Sequence, residues 1–68
     1  METLTNIVKE LRTQKNISQE KFAEMVGVTR QTIISLEKGS YIPSLLLAMK
    51  ISHVLNTPIE TIFIRKEI

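Results

Sequence analysis

Apolar residues recur along this chain at helical spacing. Leu4, Ile7, Val8 and Leu11 fall at i, i+3, i+4 and i+7, which is one face of an amphipathic helix. Asn16 closes that helix, because asparagine tolerates the left-handed conformation found at many helix ends. Ser18 then caps a second helix, with Glu20 in its first turn beside the positive end of the dipole. Phe22, Ala23 and Val26 form its inward face, and Gly27 follows where a terminating glycine belongs. Thr29 caps a third helix whose apolar positions are Ile33 and Leu36, and Gly39 ends it.

Beyond Pro43, Ser44 caps a fourth helix carrying Leu45, Ala48, Met49, Ser52 and Leu55. Thr57-Pro58-Ile59-Glu60 reads as the start of a fifth: threonine as cap, proline at the first helical position, glutamate three residues on as in a capping box. The segment from Phe63 to Ile68 leaves little room for another turn, and its β-branched and aromatic content suits a short strand. The pattern predicts one all-α domain of five helices over residues 1–68, to which a short C-terminal β-strand can be added.

Composition narrows the options. A chain of 68 residues buries only about 60% of its unfolded surface, so a lone core is marginal. There is no cysteine, and no cluster of metal-ligating residues, so neither a metal nor another cofactor is expected and oligomerisation is the remaining source of stability. No apolar run approaches the roughly 18 residues that span a bilayer, and the opening Met1-Glu2-Thr3-Leu4 is not a signal peptide. The expectation is a soluble cytoplasmic protein without a membrane partner. The net charge of +2 permits nucleic-acid binding without requiring it, so the placement of charge matters more than its sum.

Helices two and three are separated only by Gly27 and Val28 before the Thr29 cap. A turn this short forces the helices to cross steeply and at close range. Ala23 sits at the crossing, Gly27 supplies a positive φ without steric cost, and Val28 and Ile33 fill the inside of the angle. An ordinary αα-hairpin would satisfy the same spacing, so the outward side of helix three carries the discrimination. It presents Arg30, Gln31, Ile34 and Ser35, and no acid. Arginine matches the two acceptors of guanine, glutamine matches adenine, serine is permissive, and an apolar side chain can touch a thymine methyl.

These residues stand within an ordered series that runs from Arg12 through Ile17-Ser18-Gln19-Glu20, Ala23, Gly27-Val28-Thr29-Arg30-Gln31-Thr32-Ile33 and Leu36-Glu37-Lys38-Gly39 to Tyr41 and Pro43-Ser44-Leu45. The series resembles the Cro/phage-repressor (XRE) family of helix-turn-helix regulators, in its small stand-alone bacterial form. The resemblance covers the chain from about Asn6 to Phe63, with the helix-turn-helix at about residues 19–38. It implies a five-helix lambda-repressor-like domain that binds double-stranded DNA and regulates transcription, most simply as a repressor. It also implies base reading by Arg30, Gln31 and Ser35, phosphate contacts by Gln19, Thr29, Lys38, Ser40 and Tyr41, and a buried ion pair between Arg12 and Glu37; Thr32 either reaches a phosphate as well or simply occupies the first turn. Ile34 departs from the family, where this position is commonly polar; it either reads a thymine methyl or folds back over the core. The same fold serves antitoxins and protein-interaction modules, and the lack of a long disordered tail counts against an antitoxin.

A near-palindromic operator calls for a homodimer. Leu45, Leu46 and Leu47 are consecutive, so one helix face cannot bury all three, and Leu46 is the one out of phase. Ile62, Phe63, Ile64 and Ile68 crowd the C-terminus, at about residues 59–68. Leu46, Ile62, Phe63, Ile64 and Ile68 are therefore the expected dimer interface, with the last helix and strand pairing across the two-fold axis by antiparallel strand addition. Closing the core of one chain is the competing place for Ile62 and Phe63, and the preferred one for Phe63. Catalysis has little to work with: His53 is the single histidine and has no acid nearby to orient it, so no enzyme and no small-molecule ligand are expected.

Overall fold

The computed structural model describes residues 2–67. Its elements are β1 (Glu2–Asn6), α1 (Val8–Gln14), α2 (Gln19–Val26), α3 (Arg30–Glu37), α4 (Leu45–Leu55), α5 (Ile59–Ile62) and β2 (Phe63–Glu67). Five helices therefore form where expected, but the chain is mostly helical rather than all-α, because β1 and β2 pair as a two-stranded antiparallel sheet.

Capping chemistry explains the helix ends. Ser18, Thr29 and Ser44 have extended backbones, and their hydroxyls accept from the backbone N–H of Lys21, Thr32 and Leu47. Each thereby satisfies one of the N–H groups that the first helical turn leaves without a partner. The C-termini of the four longer helices share one solution. Asn16, Gly27, Gly39 and Asn56 all have positive φ. In α2, for example, the Gly27 N–H donates to the Glu24 carbonyl and the Val28 N–H to the Ala23 carbonyl, the double bond of a Schellman motif.

Three expectations about where the helices begin and which way they face are corrected. Leu4 lies in β1, Ile7 is the residue before α1, and the helix begins only at Val8. Asn6 ends the strand there: its Oδ1 accepts from the Val8 N–H at 3.1 Å, and its Nδ2 donates to the Leu36 carbonyl at 2.9 Å. The second correction concerns α4, whose buried face is Leu47, Ala48, Ile51 and Leu55, while Leu45 and Met49 face outward. The third is that Thr57 does not cap α5. Its hydroxyl donates back to the Leu55 carbonyl, its own carbonyl accepts from Ser52, and Pro58 takes the N-cap place.

One core unites the elements. Phe22, Ile33, Leu36, Ile51, Leu55 and Ile62 are fully buried, with Val8 and Val26, and each such side chain contributes about 1.5–3 kcal/mol by leaving water. Ile62 and Phe63 belong to this core. They are occupied within one chain and offer no surface for a dimer. β2 takes one strand partner, β1, from the same chain, in the register Thr5 to Ile64 and Leu4 to Arg65. Leu46 and Ile64 stay exposed, at 64% and 41%, and Ile68 lies outside the described residues.

A buried ion pair holds α1 to the end of α3. Arg12 Nε donates to Glu37 Oε2 at 2.7 Å and Nη2 donates to Oε1 at 3.2 Å. The remaining guanidinium nitrogen, Nη1, donates to the Ile17 carbonyl at 2.7 Å. Both side chains are buried, so removing one partner strands a charge in a low dielectric. Arg12→Met is expected to lower unfolding free energy by about 3–5 kcal/mol, and Arg12→Met/Glu37→Leu by clearly less. Urea titration of both variants checks this; a double variant no more stable than the single one would show that stranded charge is not the cost.

Candidate nucleic-acid interface

The turn between α2 and α3 sets the direction of α3. Gly27 adopts φ 78° and ψ 33°, a left-handed conformation that reverses the chain within two residues. A Cβ added there would meet only Lys50 Nζ, at 3.8 Å. The glycine is therefore required by the backbone conformation rather than by lack of room. Ala23 is buried at the crossing, Ile33 is buried on the far side, and Val28 packs partly against the core between them.

The exposed side of α3 is varied in chemistry but carries no carboxylate. Arg30 and Gln31 are exposed, and Ser35 is half-buried one turn beyond Gln31, whose Nε2 donates to Ser35 Oγ at 3.4 Å. Ile34 is half-buried between them, yet it is not part of the core cluster. Glu37 is the only acid of α3. It is turned inward against Arg12, so no carboxylate faces outward from this helix.

Residues around the two helix ends complete the surface. Gln19, the first residue of α2, is half-buried, and its Nε2 donates to Glu37 Oε1 at 3.1 Å. The amide is thus anchored to the ion pair and keeps a second N–H free of intramolecular bonds in the described residues. Thr29 and Thr32 share a hydroxyl–hydroxyl hydrogen bond of 3.0 Å, which uses one of their two O–H donors and leaves the other. Lys38, Ser40 and Tyr41 are exposed in sequence after α3, where Gly39, at φ 82°, turns the chain away from the helix axis.

Asn6 is the residue whose part in this arrangement the sequence pattern does not reveal. It joins the N-terminal strand to the last turn of α3 through the Leu36 carbonyl, a contact spanning thirty residues with no local signature. Among the described residues, no group of three potential metal ligands comes together. No helix among the described residues is long and apolar enough to cross a membrane.

Comparison with known proteins agrees with this architecture. A family model described as helix-turn-helix matches residues 8–62. The chain is 53% identical over 60 residues to the uncharacterised HTH-type transcriptional regulator YgzD of Bacillus subtilis, covering 88% of this chain and 91% of that protein. It is 55% identical over 60 residues to an uncharacterised HTH-type transcriptional regulator of Archaeoglobus fulgidus, covering 88% and 84%. Among solved structures, it is similar to the restriction-modification controller protein C.AhdI from Aeromonas hydrophila, with TM-score 0.73 and 31% identity over 79% of this chain and 82% of that one. The N-terminal DNA-binding domain of SinR from Bacillus subtilis gives TM-score 0.72 and 31% identity, over 79% and 80%. The capped and glycine-turned pair α2–α3, the buried Arg12–Glu37 contact and these matches over most of the chain lead to one conclusion: the chain belongs to the XRE-type helix-turn-helix family of transcriptional regulators.

Proposed function

We propose that the protein binds double-stranded DNA in a sequence-specific manner, with α3 in the major groove, and represses transcription by occluding its operator. The observation that carries this reading is the outward face of α3, which presents Arg30 and Gln31 while its only acid is neutralised inside the protein. Arg30, Gln31 and Ser35 then read base edges, and Ile34 meets a thymine methyl. Gln19, Thr29, Thr32, Lys38, Ser40 and Tyr41 fix the register on phosphates, which supply affinity but no sequence information. Repression is the simplest outcome, because blocking a promoter in the cytoplasm needs no surface beyond the DNA-binding one.

A single half-site of a few base pairs specifies little, so the functional unit in this reading is a homodimer on a near-palindromic operator. Half-sites would lie about 34–36 Å apart, one helical turn. The described residues span 34 × 22 × 20 Å, which lets two copies sit side by side at that separation. With Ile62 and Phe63 inside the core, the exposed Leu46 and Ile64 are, among the described residues of the expected interface, the candidates for the self-contact.

Three measurements test these proposals. Affinity for random duplex should fall linearly with salt on a log–log scale, as released counterions require; no binding at low salt would favour a protein partner instead. Arg30→Ala should relax preference at one guanine at a cost of about 1–3 kcal/mol, whereas Lys38→Ala should weaken all sequences alike. Selection from a random duplex pool reads both, and equal losses on every sequence for Arg30→Ala would remove it from the base-reading set. Sedimentation equilibrium of Leu46→Asp and Ile64→Asp should show monomers where the natural chain is a dimer; two unchanged dimers would place the self-contact elsewhere.

A further inference from the structure

The C-terminal half of α2 and the outward side of α4 enclose an open cavity of about 430 Å³. Small-ligand sites occupy roughly 300–1,000 Å³ and combine apolar walls with a few convergent polar groups. This cavity has that make-up. Met25, Met49 and Val54 supply apolar wall, and Lys50 and His53 are the cationic or donor groups at it. The two methionines come from different helices and remain 46% and 55% exposed. Unbranched thioether side chains adapt readily to the shape of an apolar guest.

The charge balance identifies the complementary group. Lys50 makes no ion pair among the described residues, and its ammonium lies over the α2–α3 turn, 3.8 Å from the place of a Gly27 Cβ. Glu24 also borders the cavity, but its carboxylate is 3.5 Å from Lys21 Nζ. An apolar hollow beside an uncommitted ammonium matches a guest with an apolar body and one carboxylate. The α2–α3 turn forms part of the wall, so such a guest would pack against the backbone that orients α3.

We infer that this cavity is a binding site for a small amphiphilic carboxylate, its apolar body between Met25, Met49 and Val54 and its carboxylate on Lys50 Nζ. The site is separate from the exposed face of α3, and its test needs no DNA. Octanoate is titrated into the full chain while the methyl signals of Met25 and Met49 are followed by NMR, with octan-1-ol as the uncharged comparison. Octanoate should shift both methyls saturably and bind about two- to fivefold more tightly than the alcohol, the worth of one solvent-exposed ion pair. Lys50→Met, a change at an exposed position without an ion-pair partner, should bring octanoate down to the affinity of the alcohol and leave the alcohol unaffected. Absent saturation, equal affinities on the natural chain, or an unchanged octanoate affinity in Lys50→Met would each overturn the assignment. Equal shifts at Ile42 and Ile64 would do so too, by showing general adsorption to exposed apolar side chains.

Discussion

The contact between Arg12 and Glu37 joins three helices through one carboxylate. Glu37 terminates α3, Arg12 comes from α1, and Gln19 at the start of α2 donates to the same carboxylate. A guanidinium suits this place because its planar fork satisfies both carboxylate oxygens and still reaches the Ile17 carbonyl. All buried side-chain polar atoms in the described residues have partners, which is the condition under which a buried charge pair is tolerated. Such a pair adds little net stability over a well-packed apolar substitute. Its consequence here is positional: the relative placement of α1, α2 and α3 must satisfy the fixed geometry of one carboxylate.

That placement has an electrostatic result at the surface. Glu37 would otherwise add a negative charge to the last turn of the helix that carries Arg30 and Gln31. Drawn inward and neutralised, it leaves the exposed side of α3 without a carboxylate. The same hydrogen bonds orient Gln19 at the N-terminus of α2, where unpaired backbone N–H groups and the helix dipole favour an anion. Helix placement and surface charge thus meet at one residue, Glu37.

The N- and C-terminal strands serve a different purpose. A chain of this size has few elements with which to cover its core, and the short α5 supplies only one turn. Pairing β1 with β2 brings both ends of the chain over the same region and lets Phe63 complete the core. Asn6 links this sheet to α3 through the Leu36 carbonyl, so the strands also support the helix-turn-helix from behind. The residues left outside are informative by contrast: Leu46, Met49, Met25 and Ile64 are apolar yet uncovered in one chain.

The parts of the structure that the sequence by itself determined are those encoded over a few residues. Ser18, Thr29 and Ser44 cap the helices, Asn16, Gly27 and Gly39 reverse the chain, and the Gly27-Val28 spacing makes the tight α2–α3 turn. Each is a local contest between backbone conformations, settled by a side chain within one turn. The outward set Arg30, Gln31 and Ser35 followed from the same periodicity, once Ile33 and Leu36 marked the inward face. Tertiary structure decided what periodicity leaves open. Leu4 at helical spacing became a strand residue because a segment sixty residues away supplied hydrogen-bonding partners. Three successive leucines offered several phases for α4, and contact with the core chose Leu47 over Leu45 and Leu46. Thr57, with every mark of a helix cap, turned back to the carbonyl of Leu55 as α4 ended beside it. Ile62 and Phe63 were apolar in any reading, but only the packed chain could assign them to the interior, since burial depends on what the rest of the fold leaves uncovered.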